Sequence, residues 1–520
     1  MINRDGAARE SDPQKIDLFQ GGVCLFDPNW QTHSAYKVFF KNCKACFDSS
    51  ERVRLQGEYG KLRQKLWMLD LDSIVAVIQG NYSKFGRPAR NQAQLFRSFI
   101  AFSSLGETSL TNWCKRLSQD RTLAALIGCT PETLPPLGSY YDIIDRFWLE
   151  PESIEGLGRN DLSHRKIKPS KKSAPGKGNK LPPKHPGIVN KVCQWVDKDR
   201  RIPWNYEKTL QEIFSVLAVQ QSVKCGLIPE EGIIASGDGS CLHVHASSYG
   251  HKRCDCPNDR SNPCNCPRHF SDPGASWGWD SDLGVWYYGY TFYAFVYHNP
   301  EKQVDLPIHI RFVDARRHDS VTAIVCLDEY RQISGNPRIG RLCLDSANDN
   351  YATYEHLEKH GILPFIDLNL HRGKNKEIHD NIVVRPDGTP LCEAGLPMHC
   401  VGYDKSKKAI KWRCPVVCGD CDSCPCDKAN CSQSAYGRTL YTKASWDKRL
   451  YNQVPRNTEE WKLTYNNRTS CERINDRFLN DYKLHQMFIH SRKRFSFISM
   501  IIGINLHLDA RIKAGISDAI

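Results

Sequence analysis

The sequence predicts an α/β protein, a mixed sheet with flanking helices, preceded by a helical N-terminal region and interrupted by a cysteine-rich insertion. Three observations predict it. Between residues 229 and 366, apolar runs of period two alternate with runs of helical period. Ahead of them, over residues 61–160, apolar side chains recur at helical spacing. Cysteines then crowd loop-rich stretches around residues 251–269 and 392–431.

Taken in order, residues 1–60 show no clear period and are expected to form an irregular arm. Over residues 61–160, Leu66, Leu69, Leu95, Phe99, Phe102, Leu110, Trp113 and Leu117 trace short helices, broken at Gly106. Ser139 and Asp142 mark a further helix start. Short helices joined by tight turns build helix-turn-helix DNA readers, and inert bundles equally well. Residues 161–190 form a Pro-rich basic linker in which Arg165, Lys166, Lys171 and Lys172 stand without a neighbouring acid. It is either a solvated tether or a strap along a DNA backbone. A helical connector (191–228) leads to the sheet. Strands are expected at Ile233-Ile234-Ala235, at residues 286–297 and 306–313, at Arg341-Leu342-Cys343-Leu344 and at residues 362–366. Helices are expected at residues 320–332 and 351–360. The insertion takes residues 367–460, and residues 461–520 carry two long helical patterns, 466–485 and 492–508.

A chain of 520 residues has room for two or three domains, each with its own core. No apolar run reaches the roughly 18 residues of a membrane span, and the polar N-terminus does not read as a secretory signal. A cytoplasmic protein is expected. The net charge of +13 suits a polyanionic partner such as double-stranded DNA. Twenty-three cysteines without a secretion signal point to metal ligation rather than disulfides.

Three acids carry the candidate chemistry. Asp238 sits within a strand-like run between Gly237 and Gly239; an Asp there calls for a reason, although a Gly-Asp-Gly turn is the alternative. Asp345 follows a buried strand at its carboxyl end, where such sheets place ligands, while Asp349 is expected only to cap the next helix. Glu472 shares a helical face with Tyr465 and Arg468, although an Arg–Glu surface pair has the same spacing. Carboxylates from separate elements suit a pair of hard divalent ions, Mg²⁺ or Mn²⁺, that activate an oxygen nucleophile and stabilise a leaving oxyanion in phosphodiester chemistry.

First strand, fourth strand and late helix is the order of a ribonuclease H-like fold. The chain resembles bacterial insertion-sequence transposases of the DDE class from about residue 66 to 508. The resemblance rests on Phe85-Gly86-Arg87-Pro88, Ser236-Gly237-Asp238-Gly239-Ser240, Gly289-Tyr290-Thr291-Phe292-Tyr293, His318-Asp319-Ser320, Leu344-Asp345-Ser346-Ala347-Asn348-Asp349 and Cys471-Glu472-Arg473-Ile474-Asn475. It implies a catalytic metal site of Asp238, Asp345 and Glu472, with Tyr465 and Arg468 on DNA phosphates at the element's ends. The Tyr-x2-Arg-x3-Glu-x6-Lys signature departs at its last position, which holds Leu479; Lys483, one turn on, is the substitute candidate. His318 and Asp319 are expected only to start a helix.

Zinc ligands are expected among Cys254, Cys256, Cys264 and Cys266, with His251 and His269 beside them. A second set is Cys414, Cys418, Cys421, Cys424, Cys426 and Cys431, where the Cys418-x2-Cys421-x2-Cys424 spacing is the better zinc pattern. Their expected role is structural. The expected function is metal-dependent DNA cleavage and strand transfer by a homodimer on DNA. The alternatives are a transposon-derived DNA-binding protein that no longer cuts and a zinc-stabilised nuclease that cuts without joining.

Overall fold

The computed structural model describes residues 29–83, 86–149, 187–198, 205–252, 254–256, 268–281, 283–369, 374–424, 431–432 and 434–516. The basic residues Arg165, Lys166, Lys171 and Lys172, and also Phe85, Cys264, Cys266 and Cys426, lie outside them.

The centre is a six-stranded mixed sheet. Strand β1 (Ile233–His243) lies between β3 (Val285–Asn299), antiparallel to it, and β5 (Ile339–Leu344), parallel to it. Strand β2 (Ser276–Asp280) and strand β4 (Val304–Asp314) both pair with β3, and β6 (Leu363–Ile366) runs parallel to β5. The long aromatic β3 is buried along nearly all its length because partners cover it on every side. Helices Asp319–Gln332 (α1) and Tyr351–Lys359 (α2) supply the crossovers that parallel pairing requires. Direction and order are consistent with a ribonuclease H-like domain. The strand β2 was not expected: its Trp277 and Trp279 face water while Ser276, Gly278 and Asp280 face inward, so its pattern reads inverted.

Several local expectations change. The stretch before Gly60 is helical, with His33–Ala45 and Ser49–Gln56 burying Tyr36, Phe40 and Leu55. Asp48 and Glu51 form a reciprocal capping box on the second of these, a signal present in the sequence. The helix assigned to Ser139 and Asp142 instead starts at Leu137, after Pro136.

The last helix, α3 (Arg492–Lys513), is buried from Phe495 to Arg511. By length and composition it could cross a membrane, against the expectation that no apolar run is long enough, but 89% of that stretch is buried inside the protein. It joins the N-terminal helices to the sheet. Asn505 Nδ2 donates to the Ile100 carbonyl at 3.1 Å, and His507 Nε2 meets the Pro307 carbonyl at 2.8 Å. Lys65, 1% exposed, donates to Asn505 Oδ1 at 3.0 Å and pairs with Asp509 at 2.8 Å. One continuous apolar core therefore runs from Tyr36 to Ala510 in place of separate cores for the two regions. Residues between β6 and Glu459 carry a small three-stranded sheet, His399–Asp404, Ala409–Arg413 and Thr439–Lys443, over their own core of Met398, Ile410, Trp412, Leu450 and Tyr451.

Candidate active site

Asp238 sits mid-strand in β1, opposite Ala294 of β3, so the Gly-Asp-Gly turn is excluded. On its other side β1 pairs with β5 only from Ile233 to Ser236, where Ser236 faces Cys343. Asp345 leaves the end of β5 at the same level. Alternation along the strands then puts Ile234 and Cys343 against Trp461 and Tyr465, on the face where Asp238 meets Arg468. The opposite face explains both glycines. A Cβ on Gly237 would lie 2.7 Å from Phe295 and 2.8 Å from the Tyr293 hydroxyl; one on Gly239 would lie 2.7 Å from Asp319 Oδ1.

Asp345 is held by Asn348, whose Nδ2 donates to Oδ1 at 2.6 Å. Asp349 does not cap the following helix. Asn350 does, accepting from the Thr353 amide, while Asp349 is bound by Arg449 and accepts from the Asn369 amide at 2.9 Å. Asp349 thus ties the Asp345 loop to the segment that leads back to the last helices.

The helix that presents Glu472 is built in pieces: Glu459–Tyr465, a 3-10 turn Asn466–Arg468, Thr469–Asp476 and a π turn Arg477–Asp481. Tyr465 stacks on Trp461 at 4.7 Å. Burial, with Asp367 and Asp345 nearby, raises its phenol. Arg468 lies between the acids, its Nη2 2.5 Å from Glu472 Oε1 and its Nη1 3.7 Å from Asp238 Oδ2. The Arg–Glu pair of the alternative reading is therefore present. Glu472 is half-exposed, and this guanidinium stands between it and Asp238. Lys483 is not brought to the site. The helix has ended, Lys483 is left-handed, and its amine would lie 3.3 Å from a Cβ on Gly106 of the N-terminal helices.

One acid went unrecognised. Asp319 opens helix α1 behind the cap of His318, as expected of a helix start, and its carboxylate also lies over Gly239 beside the aspartates. An acid in the first turn of a helix is favoured by the helix dipole anyway, so the sequence offers nothing that separates the two roles. Burial pushes the Asp238 acid up to about 7; Arg468 opposes this, and Asp345 and Asp319 add to it. Burial and Asp345 push Asp319 up to about 6. Carboxylates held against their own desolvation and mutual repulsion suit a hard divalent cation, which removes both penalties. The residues present fit one: Asp238 and Asp345 stand ready, Asp319 adjoins them, and Glu472 is available once Arg468 turns away.

Among the described residues, the cysteine sets do not converge in the same way: neither set brings three ligand atoms within 4.8 Å of one another. A groove beside the small sheet is lined by Lys405, Lys407, Lys408, Lys443 and Lys448.

A comparison with curated proteins finds no match. A family model described as the transposase DDE domain matches residues 238–506. That stretch covers just over half of the chain, starts on Asp238 itself and ends within helix α3. The two aspartates, the strand β5 and the helix that carries Glu472 all fall inside it, and the chain belongs to the DDE-class insertion-sequence transposases.

Proposed function

We propose that this transposase binds the ends of its insertion element and catalyses both DNA cleavage and strand transfer, with Asp238, Asp345 and Glu472 as the metal-holding triad. The observation that carries the reading is the nearness of Asp238, mid-strand in β1, to Asp345 at the carboxyl end of the adjacent β5, with Arg468 between Asp238 and Glu472. Two Mg²⁺ or Mn²⁺ ions, when bound, would activate the attacking oxygen and stabilise the leaving one. Arg468 exchanges its carboxylate partners for a DNA phosphate, which frees Glu472 to turn toward the aspartates. Tyr465, stacked on Trp461, is positioned on the same face to meet the backbone. The lysine groove and the basic segment with Arg165, Lys166, Lys171 and Lys172 add sequence-independent affinity for double-stranded DNA. Two protomers on DNA bring two ends together. The cysteine-rich segments would draw their ligands together on taking up structural Zn²⁺.

The test is incubation of the purified protein with DNA carrying the gene's native flanks, with and without Mg²⁺ or Mn²⁺, beside Asp345→Ala. Metal-dependent cuts at the flank ends, joined products from a pre-cut end, and loss of both in the variant are expected. Binding without cutting by the wild type would replace this reading with a silent DNA-binding protein. Cuts without joining would leave a nuclease.

A further inference from the structure

Two groups of metal-capable side chains lie among the described residues outside the acidic site. His309, Cys326 and Glu329 are already satisfied: Arg311 approaches Glu329 at 3.3 Å, and Gln211 donates to it at 3.0 Å. The second group is different. His356 lies in the last turn of helix α2, His360 follows one turn later as its cap, and Asp197 ends helix Ile188–Val196. The ligand atoms of all three lie within 4.8 Å of one another. His356 is 3% exposed, yet neither of its ring nitrogens has a hydrogen-bond partner, and His360 Nε2 is buried and unpartnered as well. The Asp197 carboxylate stops 3.7 Å from His356 Nδ1, too far for a hydrogen bond. Buried imidazole nitrogens left unpaired are costly unless something accepts their lone pairs.

We propose that Asp197, His356 and His360 form a zinc site, separate from the acidic centre and from the cysteine sets. Two imidazoles four residues apart on a helix face one cation, a carboxylate from a second element neutralises part of its charge, and water completes a tetrahedron. Nitrogen and oxygen donors in this mix favour Zn²⁺ over Mg²⁺. Lys359 holds Asp197 Oδ1 at 2.9 Å, which orients the carboxylate toward His356. The site fastens a helix that has little else. Ile188–Val196 is nine residues long, too short to persist alone, and rests on the catalytic domain through a small cluster of Val192, Cys193, Val196 and Ile324. A zinc clamp here fixes the helix that directly follows the basic segment, whatever the chain does to DNA.

The experiment uses the full chain, stripped with chelator, reloaded with Zn²⁺ alone and desalted. Metal content is read by mass spectrometry, and amide exchange is followed over residues 188–196. His360→Ala is expected to hold about one zinc fewer per chain than the wild type, a difference that any cysteine-bound zinc leaves untouched. Zinc should also slow exchange in residues 188–196 of the wild type and not of the variant. Should His360→Ala fail to fold, Asp197→Asn, at an exposed position, is expected to show the same loss. Equal zinc content in wild type and a folded variant, with unchanged exchange, would overturn the proposal. DNA cleavage is not a readout, so the two proposals fail independently.

Discussion

Replacing Asp238 with Asn is expected to stabilise the metal-free protein at pH 8 and leave it almost unchanged near pH 4. Burial first, then Asp345 and Asp319, carry this acid from 3.8 to about 7, so the fold opposes its ionisation. In the unfolded chain it ionises near its ordinary value. The stability associated with the protonated form is therefore fully present below pH 4 and is lost progressively as pH rises to about 7. A tenfold change in ionisation is worth about 1.4 kcal/mol, which sets the whole effect at about 4 kcal/mol. Water reaching a side chain that is 20% exposed reduces this to about 2–3 kcal/mol. Asn keeps the oxygen that accepts from the Gly239 amide at 3.0 Å and gives up only the 3.7 Å attraction to Arg468. Thermal melting in chelator from pH 4.5 to 8 should show the variant's advantage opening with pH. Mn²⁺ should close it by raising the wild type alone. Melting temperatures that stay parallel across this range would refute the reasoning.

Asp319→Asn should act in the same direction over a lower window, because that acid is carried only to about 6; the same melts measure it. Gly239→Ala puts a methyl 2.7 Å from Asp319 Oδ1, and since a carboxylate can swing aside, the fold should survive while Mn²⁺ affinity falls, as titration would show. Lys65→Ala removes one of three cations on Asp509, which keeps Lys61 at 2.8 Å and Arg477 at 3.2 Å, and leaves Asn505 Oδ1 without its donor. A loss of about 1–3 kcal/mol is expected in denaturant melts, the cost of an unsatisfied buried acceptor.

The strands around Asp238 and Asp345 were legible because their apolar alternation is local: Ile233-Ile234-Ala235 and Leu342-Cys343-Leu344 each declare a buried strand. The parallel pairing that brings Asp238 level with Asp345 is not local, and only the family resemblance implied that the two share a site. What was hidden depends on distant partners. Lys65 and Arg97 are nearly fully buried charges in the N-terminal helices, because Asp509 and Gln31 meet them in the folded chain. Lys483 was assigned by helical spacing, which fails once the π turn at Arg477–Asp481 and a left-handed residue end the helix. Asp319 reads as a helix start and is one; its second neighbourhood comes from the glycine it covers.

The long closing helix also sets an order of events at the ribosome. Lys65 emerges early, yet Asn505 and Asp509, which receive its ammonium, follow 440 or more residues later. Until then the N-terminal helices lack one wall of their core and carry a charge with nowhere to go. A nascent or prematurely stopped chain that ends before residue 492 is thus left with exposed apolar helices, fit for proteolysis and not for DNA. The packing of the sheet that carries Asp238 and Asp345 thus waits on α3, the wall that residues 492–513 supply.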